Sequence, residues 1–381
     1  MKKGKRKRKA VLRTAILLFA AAAIITGCSG GKTLTEIEKS YRDPDVEAVL
    51  ETMSLEEKVG QMFMGCFYSK TPSGETVEKY HLGGVLLFGA SFDDKTKDEV
   101  KEDIAAIDEA CTVTPVIAVD EEGGLVTRVS GNEDIRKDKF KSPRDLYAKG
   151  GLDAILDETH EKNQLLSELG IDMNLAPVCD ISTDKDDFMY SRSLGKDAET
   201  TADYISEVIE LCAEDNMGSC LKHFPGYGNS DDTHHGMAVD DRSLTQLEEN
   251  DLLPFKAGID AGAEAVLVSH NIVTAIDEDL PASMSPAVNL KLRSELGFDG
   301  VVMTDDLSMG AIDEFLSGES SAVTAVMAGN DMLCTGKYAQ QYDAVLSAVK
   351  DGLISEDRID RSVRRIIRMK IDMGMLKVPK S

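Results

Sequence analysis

The sequence predicts an α/β protein built as a single (β/α)8 barrel of the TIM type, with room for one irregular strand and an N-terminal helical lead-in. Three observations carry this. Eight short apolar runs alternate with longer helical segments over roughly 320 residues. Five of those runs end in an acid or an imidazole, as a barrel carrying its chemistry past the strand C-termini requires. No low-complexity linker or second compositional block follows Cys28. A doubly wound open sheet is the competing architecture, because an alternating pattern does not by itself close a sheet.

The chain begins with a basic segment, residues 1–13, holding eight Lys/Arg and no acid. An apolar run follows from Thr14 to Ile25, shorter than the about 20 residues of a membrane span. Small residues then lead to Cys28. This is the form of a secretory signal, and Cys28 directly after Ile25-Thr26-Gly27 looks like a bacterial lipobox. Residues 1–27 are expected to be a lipoprotein signal peptide, Cys28 the lipidated first residue of the exported chain, 28–33 a tether and 34–381 the barrel.

Ser54-Leu55-Glu56-Glu57 has the form of a capping box. The strand candidates are Val59–Phe67, Gly84–Gly89, Val116–Asp120, Met173–Asp180, Ser219–His223, Ala265–His270, Val301–Asp305 and Asp331–Thr335. Each is a short run rich in Val, Leu, Ile or Met, as in buried parallel strands. Helices are predicted over Glu161–Leu169, Thr200–Glu214, Leu244–Ala261, Ala287–Leu296, Ser320–Ala328, Gln340–Val349 and Ser355 to Met373. Ser285-Pro286 supplies an N-cap with Pro at the first helical position.

The chain has 43 Lys/Arg against 68 Asp/Glu, a formal charge of −25. Removal of residues 1–27 leaves 35 basic residues and a charge of −33. So acidic a body excludes a nucleic-acid binder and broad adsorption to anionic lipid. It leaves the lipid on Cys28 as the only expected membrane attachment. The other six Cys show no metal-ligand spacing and read as core thiols. No metal and no cofactor are expected.

Four segments can carry chemistry. In the first, a strand leaves through Lys222-His223, turns at Pro225-Gly226 and runs on to Asp232-Thr233-His234-His235. Asp232 and His234 can pair as carboxylate and imidazole for proton transfer; adjacent His234 and His235 point apart and make poor co-ligands for a metal. The second is Thr304-Asp305-Asp306. Asp305 continues a strand towards the mouth, where an ionised Asp suits covalent glycosyl transfer. Asp306 faces away to cap the next turn, and the competing reading gives both acids to capping alone. The third is Asp120-Glu121-Glu122-Gly123-Gly124, an acid before a Gly pair. The fourth is Asn174 to Asp180, followed by Arg192, which either meets a polar ligand or pairs with surface acids.

Together these segments resemble glycoside hydrolase family 3, and within it the β-N-acetylglucosaminidase group. The carriers are KHFPGYG with the following Asp-Thr-His, GFDGVVMTDDLSMGAI, VDEEGG and NLAPVCDI, and the likeness runs from about Ser54 to Met373. It implies Asp305 as the nucleophile, His234 as the general acid/base and Asp232 as its partner. It implies sugar binding by Asp120, Arg192, Lys222 and His223, with Met309 packed beside the nucleophile. Tyr227 stands where many relatives have His, Ser191 where Asp is common, and Thr304 in place of Ser. The loop to the Asp-x-His is one residue short; His234 is preferred over His235 because only His234 has an acid two residues before it.

The implied activity is a retaining, exo-acting β-N-acetylglucosaminidase releasing terminal β-linked GlcNAc from muropeptides or chitooligosaccharides, working as a monomer. A β-glucosidase or a GlcNAc phosphorylase are alternatives within the family. β-Glucosidase relatives usually take a Glu acid/base from a following domain, whereas here the barrel is expected to supply it. A lipid-anchored sugar-binding protein is the alternative of another class, and it would have no use for Asp305 with Asp232/His234. With no Trp in the chain, the sugar is expected to be held by hydrogen bonds and not by an indole platform.

Overall fold

A computed structural model describes residues 43–228, 236–316 and 319–376. The segment boundaries expected at residues 27 and 33, the lipidation candidate Cys28, and the Asp232–His234 pair with His235 lie outside the described residues. Contacts divide the chain into two units, Met1–Pro44 and Asp45–Ser381. Of the first only Asp43 and Pro44 are described; the second is the barrel.

Its strands are β1 Phe63–Phe67, β2 Gly84–Leu87, β3 Val116–Val119, β4 Met173–Asn174, β5 Gly218–Phe224, β6 Val239–Asp240, β7 Ala265–Val268, β8 Ile272–Val273, β9 Val301–Thr304 and β10 Leu333–Thr335. Eight of them form one parallel sheet in the order β10-β1-β2-β3-β4-β5-β7-β9. A parallel bridge between Met303 and Met332 joins the two ends. Thr304 N–H donates to Met332 O at 3.0 Å and Met332 N–H to Val302 O at 3.1 Å. The sheet therefore closes as a barrel, and the open-sheet alternative is set aside. β6 and β8, which the sequence pattern did not reveal, pair parallel outside the barrel.

Each predicted run contributes a strand, with boundaries moved for identifiable reasons. Ser54 accepts the Glu57 N–H and Glu57 reaches back to the Ser54 N–H, so the capping box starts a helix at Leu55. That helix absorbs Val59 to Gln61, and β1 starts only at Phe63. Gly83 lets the chain pass this helix end, since a Cβ there would lie 1.9 Å from Gln61 O. The run Met173–Asp180 forms only a two-residue ladder. Pro177 has no N–H to give, and pairing resumes at Val178 opposite Lys222. This is the irregular strand.

Helices fill the crossovers, among them Pro143–Leu169, which is broken by a kink at Gly150-Gly151, Ala198–Glu214, Tyr338–Lys350 and Glu356–Asp372. The expected Leu244–Ala261 helix is interrupted by a π turn over Leu247–Asp251. It widens next to Pro254, which can neither donate to Asn250 nor pack against its carbonyl in regular α geometry. A second π turn, Lys291–Glu295, ends the helix capped by Ser285. One large apolar cluster includes Phe63, Met64, Val85, Ile117, Met303, Leu333 and Ile366; a second groups Ile205, Leu221, Phe224, Phe255 and Val266.

Candidate active site

Five of the predicted site residues gather at one face, the C-terminal mouth of the barrel. Asp120 follows β3, Lys222 and His223 lie in β5, Asp305 follows β9, and Arg192 comes from the long connection after β4. Lys222 Nζ donates to Asp120 Oδ1 at 2.6 Å and lies 2.7 Å from Glu122 Oε1. Arg192 donates to the same Glu122 carboxylate through Nε at 2.9 Å and Nη2 at 2.6 Å. Arg192 thus pairs with a buried acid, not with surface acids.

The network continues through His223. Its Nε2 lies 3.1 Å from Arg192 Nη2 and its Nδ1 2.7 Å from Asp180 Oδ2. A guanidinium only donates and a carboxylate accepts, so the imidazole carries its proton on Nδ1. Asp180 also accepts the backbone N–H groups of His223 at 3.0 Å and Tyr227 at 2.7 Å. It therefore fixes the turn that leads out of β5.

Glu122, more than Asp120, is the hub, because it alone of the two acids holds both Arg192 and Lys222. Burial pushes its carboxyl upward, but Arg192 and Lys222 beside it outweigh burial and hold it well below the usual carboxylate range. The same pairing raises Lys222, whose amine burial alone would lower. A signal for Glu122 was present: residues two apart on an extended chain face the same side, so Asp120 and Glu122 reach the same lysine. Between them Glu121 turns away. Its carboxylate accepts the N–H groups of Arg128 and Val129, both at 2.7 Å, and so ties down the loop after β3. Gly123, at φ +100°, lets that loop cross Lys141 O, which a Cβ would approach to 2.1 Å.

Across the mouth, Asp305 N–H donates to Val268 O at 2.9 Å, extending the β7–β9 ladder by one residue. Its Oδ1 accepts the Asp306 N–H at 2.8 Å. Asp306 turns away as expected, its carboxylate accepting the Ser308 N–H at 2.8 Å and the Tyr68 hydroxyl. Met309 is buried, its N–H on Asp306 O at 3.0 Å. His270, another strand-end imidazole, is fully buried between Ser283 Oγ at 2.7 Å and Asp306 O at 3.0 Å. It braces the Asp306 peptide from behind.

The two arcs face one interior. Burial raises the thiols of Cys66 and Cys334, and the negative field of Asp120, Asp305 and Asp306 raises both further. The described cysteines are unbridged, five of the six buried.

A closed (β/α)8 barrel with a carboxylate following β9 and a buried, charge-balanced polar network on β3–β5 defines a barrel protein of the glycosidase type. The chain belongs to glycoside hydrolase family 3: residues 54–369 match the glycosyl hydrolase family 3 N terminal domain. It is 28% identical over 384 residues to the beta-hexosaminidase LpqI of Mycobacterium tuberculosis, covering 94% of this chain and 97% of that protein. A beta-hexosaminidase of Stenotrophomonas maltophilia is 35% identical over 236 residues, 60% of this chain and 69% of the relative. Among solved structures, the family 3 beta-N-acetylglucosaminidase of a Paenibacillus species superposes with a TM-score of 0.78 at 31% identity. That match covers 86% of this chain and 65% of the Paenibacillus chain, under two thirds of its length.

Proposed function

We propose that the protein is a retaining, exo-acting β-N-acetylglucosaminidase that removes terminal β-linked GlcNAc from muropeptides or chitooligosaccharides. The observation that carries this reading is the facing of Asp305 and the Asp120–Lys222–Glu122–Arg192 network across one barrel mouth. The names of the relatives supply the sugar. The network offers donors and acceptors to sugar hydroxyls, and Asp305 attacks the anomeric carbon. The bond to the leaving oxygen breaks as His234, paired with Asp232, gives that oxygen a proton. Water then displaces Asp305 from the glycosyl-enzyme and returns a proton to His234, so two inversions retain configuration. The imidazole starts protonated, gives that proton to the leaving oxygen and is neutral afterwards, and neither form adds repulsion beside the carboxylates.

We place the protein outside the cell, anchored as a monomer by lipid on Cys28, where cell-wall fragments would be its substrates. The basic, apolar and small-residue segments before Cys28 support this. The test is turnover of aryl β-GlcNAc against aryl β-glucoside, with and without phosphate and with Asp305→Asn as control. GlcNAc release that phosphate does not divert to the sugar phosphate is expected. No turnover of either glycoside favours the sugar-binding protein, and a sugar phosphate as product makes the enzyme a phosphorylase. Palmitate labelling of the wild type, lost in Cys28→Ala, tests the anchor.

A further inference from the structure

The polar network occupies the arc of the mouth from β3 to β5; the arc from β9 through β10 and β1 to β2 is built differently. Tyr68, directly after β1, is 48% exposed, whereas Lys222 and His223 are 2% and 5% exposed. The Tyr68 ring lies 4.7 Å from that of Phe88, which follows β2, tilted by 52°. The Arg128 guanidinium in turn sits 5.3 Å from the Phe88 ring centroid. Beyond β10 the Tyr68 ring rests on the backbone of Gly336, where a Cβ would come within 2.6 Å of it. Its hydroxyl holds the carboxylate of Asp306, whose own N–H holds Asp305.

Four strand ends thus meet at one half-exposed tyrosine beside the nucleophile. The buried network forms the floor, so the sugar to be transferred lies deep, and the part of the saccharide that projects outward passes the rim where Tyr68 stands. The hydroxyl is already engaged with Asp306, which leaves the ring's surface as what it offers a ligand. An aromatic face of this kind suits the apolar C–H face of a pyranose.

We propose that Tyr68, backed by Phe88, is the stacking platform for the leaving-group unit of the saccharide and sets a preference for oligosaccharide over small aglycones. The proposal rests on the glycosidase reading above. It also revises the expectation drawn from the absence of Trp: the aromatic platform is a phenol.

The test is titration calorimetry on the full chain carrying Asp305→Asn, with free GlcNAc and with the GlcNAc β-1,4-trisaccharide. Adding Tyr68→Ala is expected to weaken the trisaccharide roughly five- to tenfold and to leave GlcNAc within about twofold. Tyr68→Phe, which keeps the ring, is expected to keep both affinities. Tyr68→Leu, which keeps bulk without an aromatic face, repeats the Ala result should that variant fold poorly. Equal loss for both ligands, or no loss for either, overturns the platform. Failure of the parent reading is separable: an otherwise wild-type enzyme that cleaves no glycoside while its trisaccharide binding depends on Tyr68 sinks the hydrolase and leaves the platform standing.

Discussion

Lys222 and Glu122 form an ion pair at 2.7 Å in which both side chains are 2% exposed. β3 and β5 are separated in the sheet by the two residues of β4, so the pair spans that short strand. Asp120 and Arg192 complete a set of two anions and two cations. Within the Lys222–Asp120 pair the lysine is 2% exposed and Asp120 17%. Asp120 is therefore the more open end of this pair, while Glu122 keeps the cations in place behind it.

Glu122→Gln keeps the shape of this hub and removes its charge. Lys222 then keeps Asp120 as its carboxylate partner, while Arg192 loses the carboxylate that accepts from both its Nε and its Nη2. Breaking a buried pair from one side costs on the order of 3 kcal/mol. The expected result is a loss of that size in urea unfolding, with kcat/KM for aryl β-GlcNAc lowered at least about 100-fold. A variant with wild-type stability and turnover would show that the network is ornamental.

Asp305→Gly removes the proposed nucleophile while leaving the β9 ladder intact. Turnover of an aryl β-GlcNAc is expected to fall by about 1,000-fold or more. Azide, filling the vacated space and attacking the anomeric carbon directly, is expected to restore turnover and give the α-glycosyl azide. Recovery of a β-azide, or persistence of activity without azide, would move the nucleophile elsewhere.

His234→Ala is expected to separate substrates by leaving group. A nitrophenolate departs without a proton, whereas a sugar alkoxide needs one. The variant should lose about 100-fold or more in kcat/KM on GlcNAc disaccharide and far less on the nitrophenyl substrate. His235→Ala serves as the comparison, and a larger disaccharide loss there would reassign the acid/base.

The fold was legible because each strand is a compact apolar run and each crossover is long enough for a helix. Strand positions failed where a local rule overrode hydropathy: the Ser54 capping box claimed Val59 for a helix, and Pro177 cut the β4 ladder. The candidate site was legible where a proposed site residue lies at a strand end, as with Asp120, His223 and Asp305. Glu122 carried a usable signal, two residues after Asp120 on an extended chain, whereas the role of Asp180 emerges only where the closed barrel brings His223 and Tyr227 to it. Tyr68 gave no signal at all, because a tyrosine after a strand acquires meaning only from Phe88, Gly336 and Asp306 around it.

At the opposite end of the barrel, Lys370 of the helix Glu356–Asp372 is fully buried, donating to Gln61 Oε1 and Thr114 O, each at 2.7 Å. Burial pushes its amine down to about 7, against the attraction of Asp172. Burial likewise raises Asp172 to about 7. Between about pH 8 and 10 Asp172 is ionised in both folded and unfolded chains and contributes little slope. Over that window the unfolded chain keeps the Lys370 proton, since an exposed lysine titrates near 10.4, and the folded chain does not. The unfolded state binds more protons, so this group makes stability rise with pH, on the order of 1 kcal/mol per unit. Below about pH 7 both states are protonated, and burial of the charge is a constant cost. Lys370→Met removes the slope. Urea unfolding at pH 8, 9 and 10 should show wild type gaining on the variant at each step; parallel curves would mean that Lys370 keeps an ordinary lysine pKa in the folded protein.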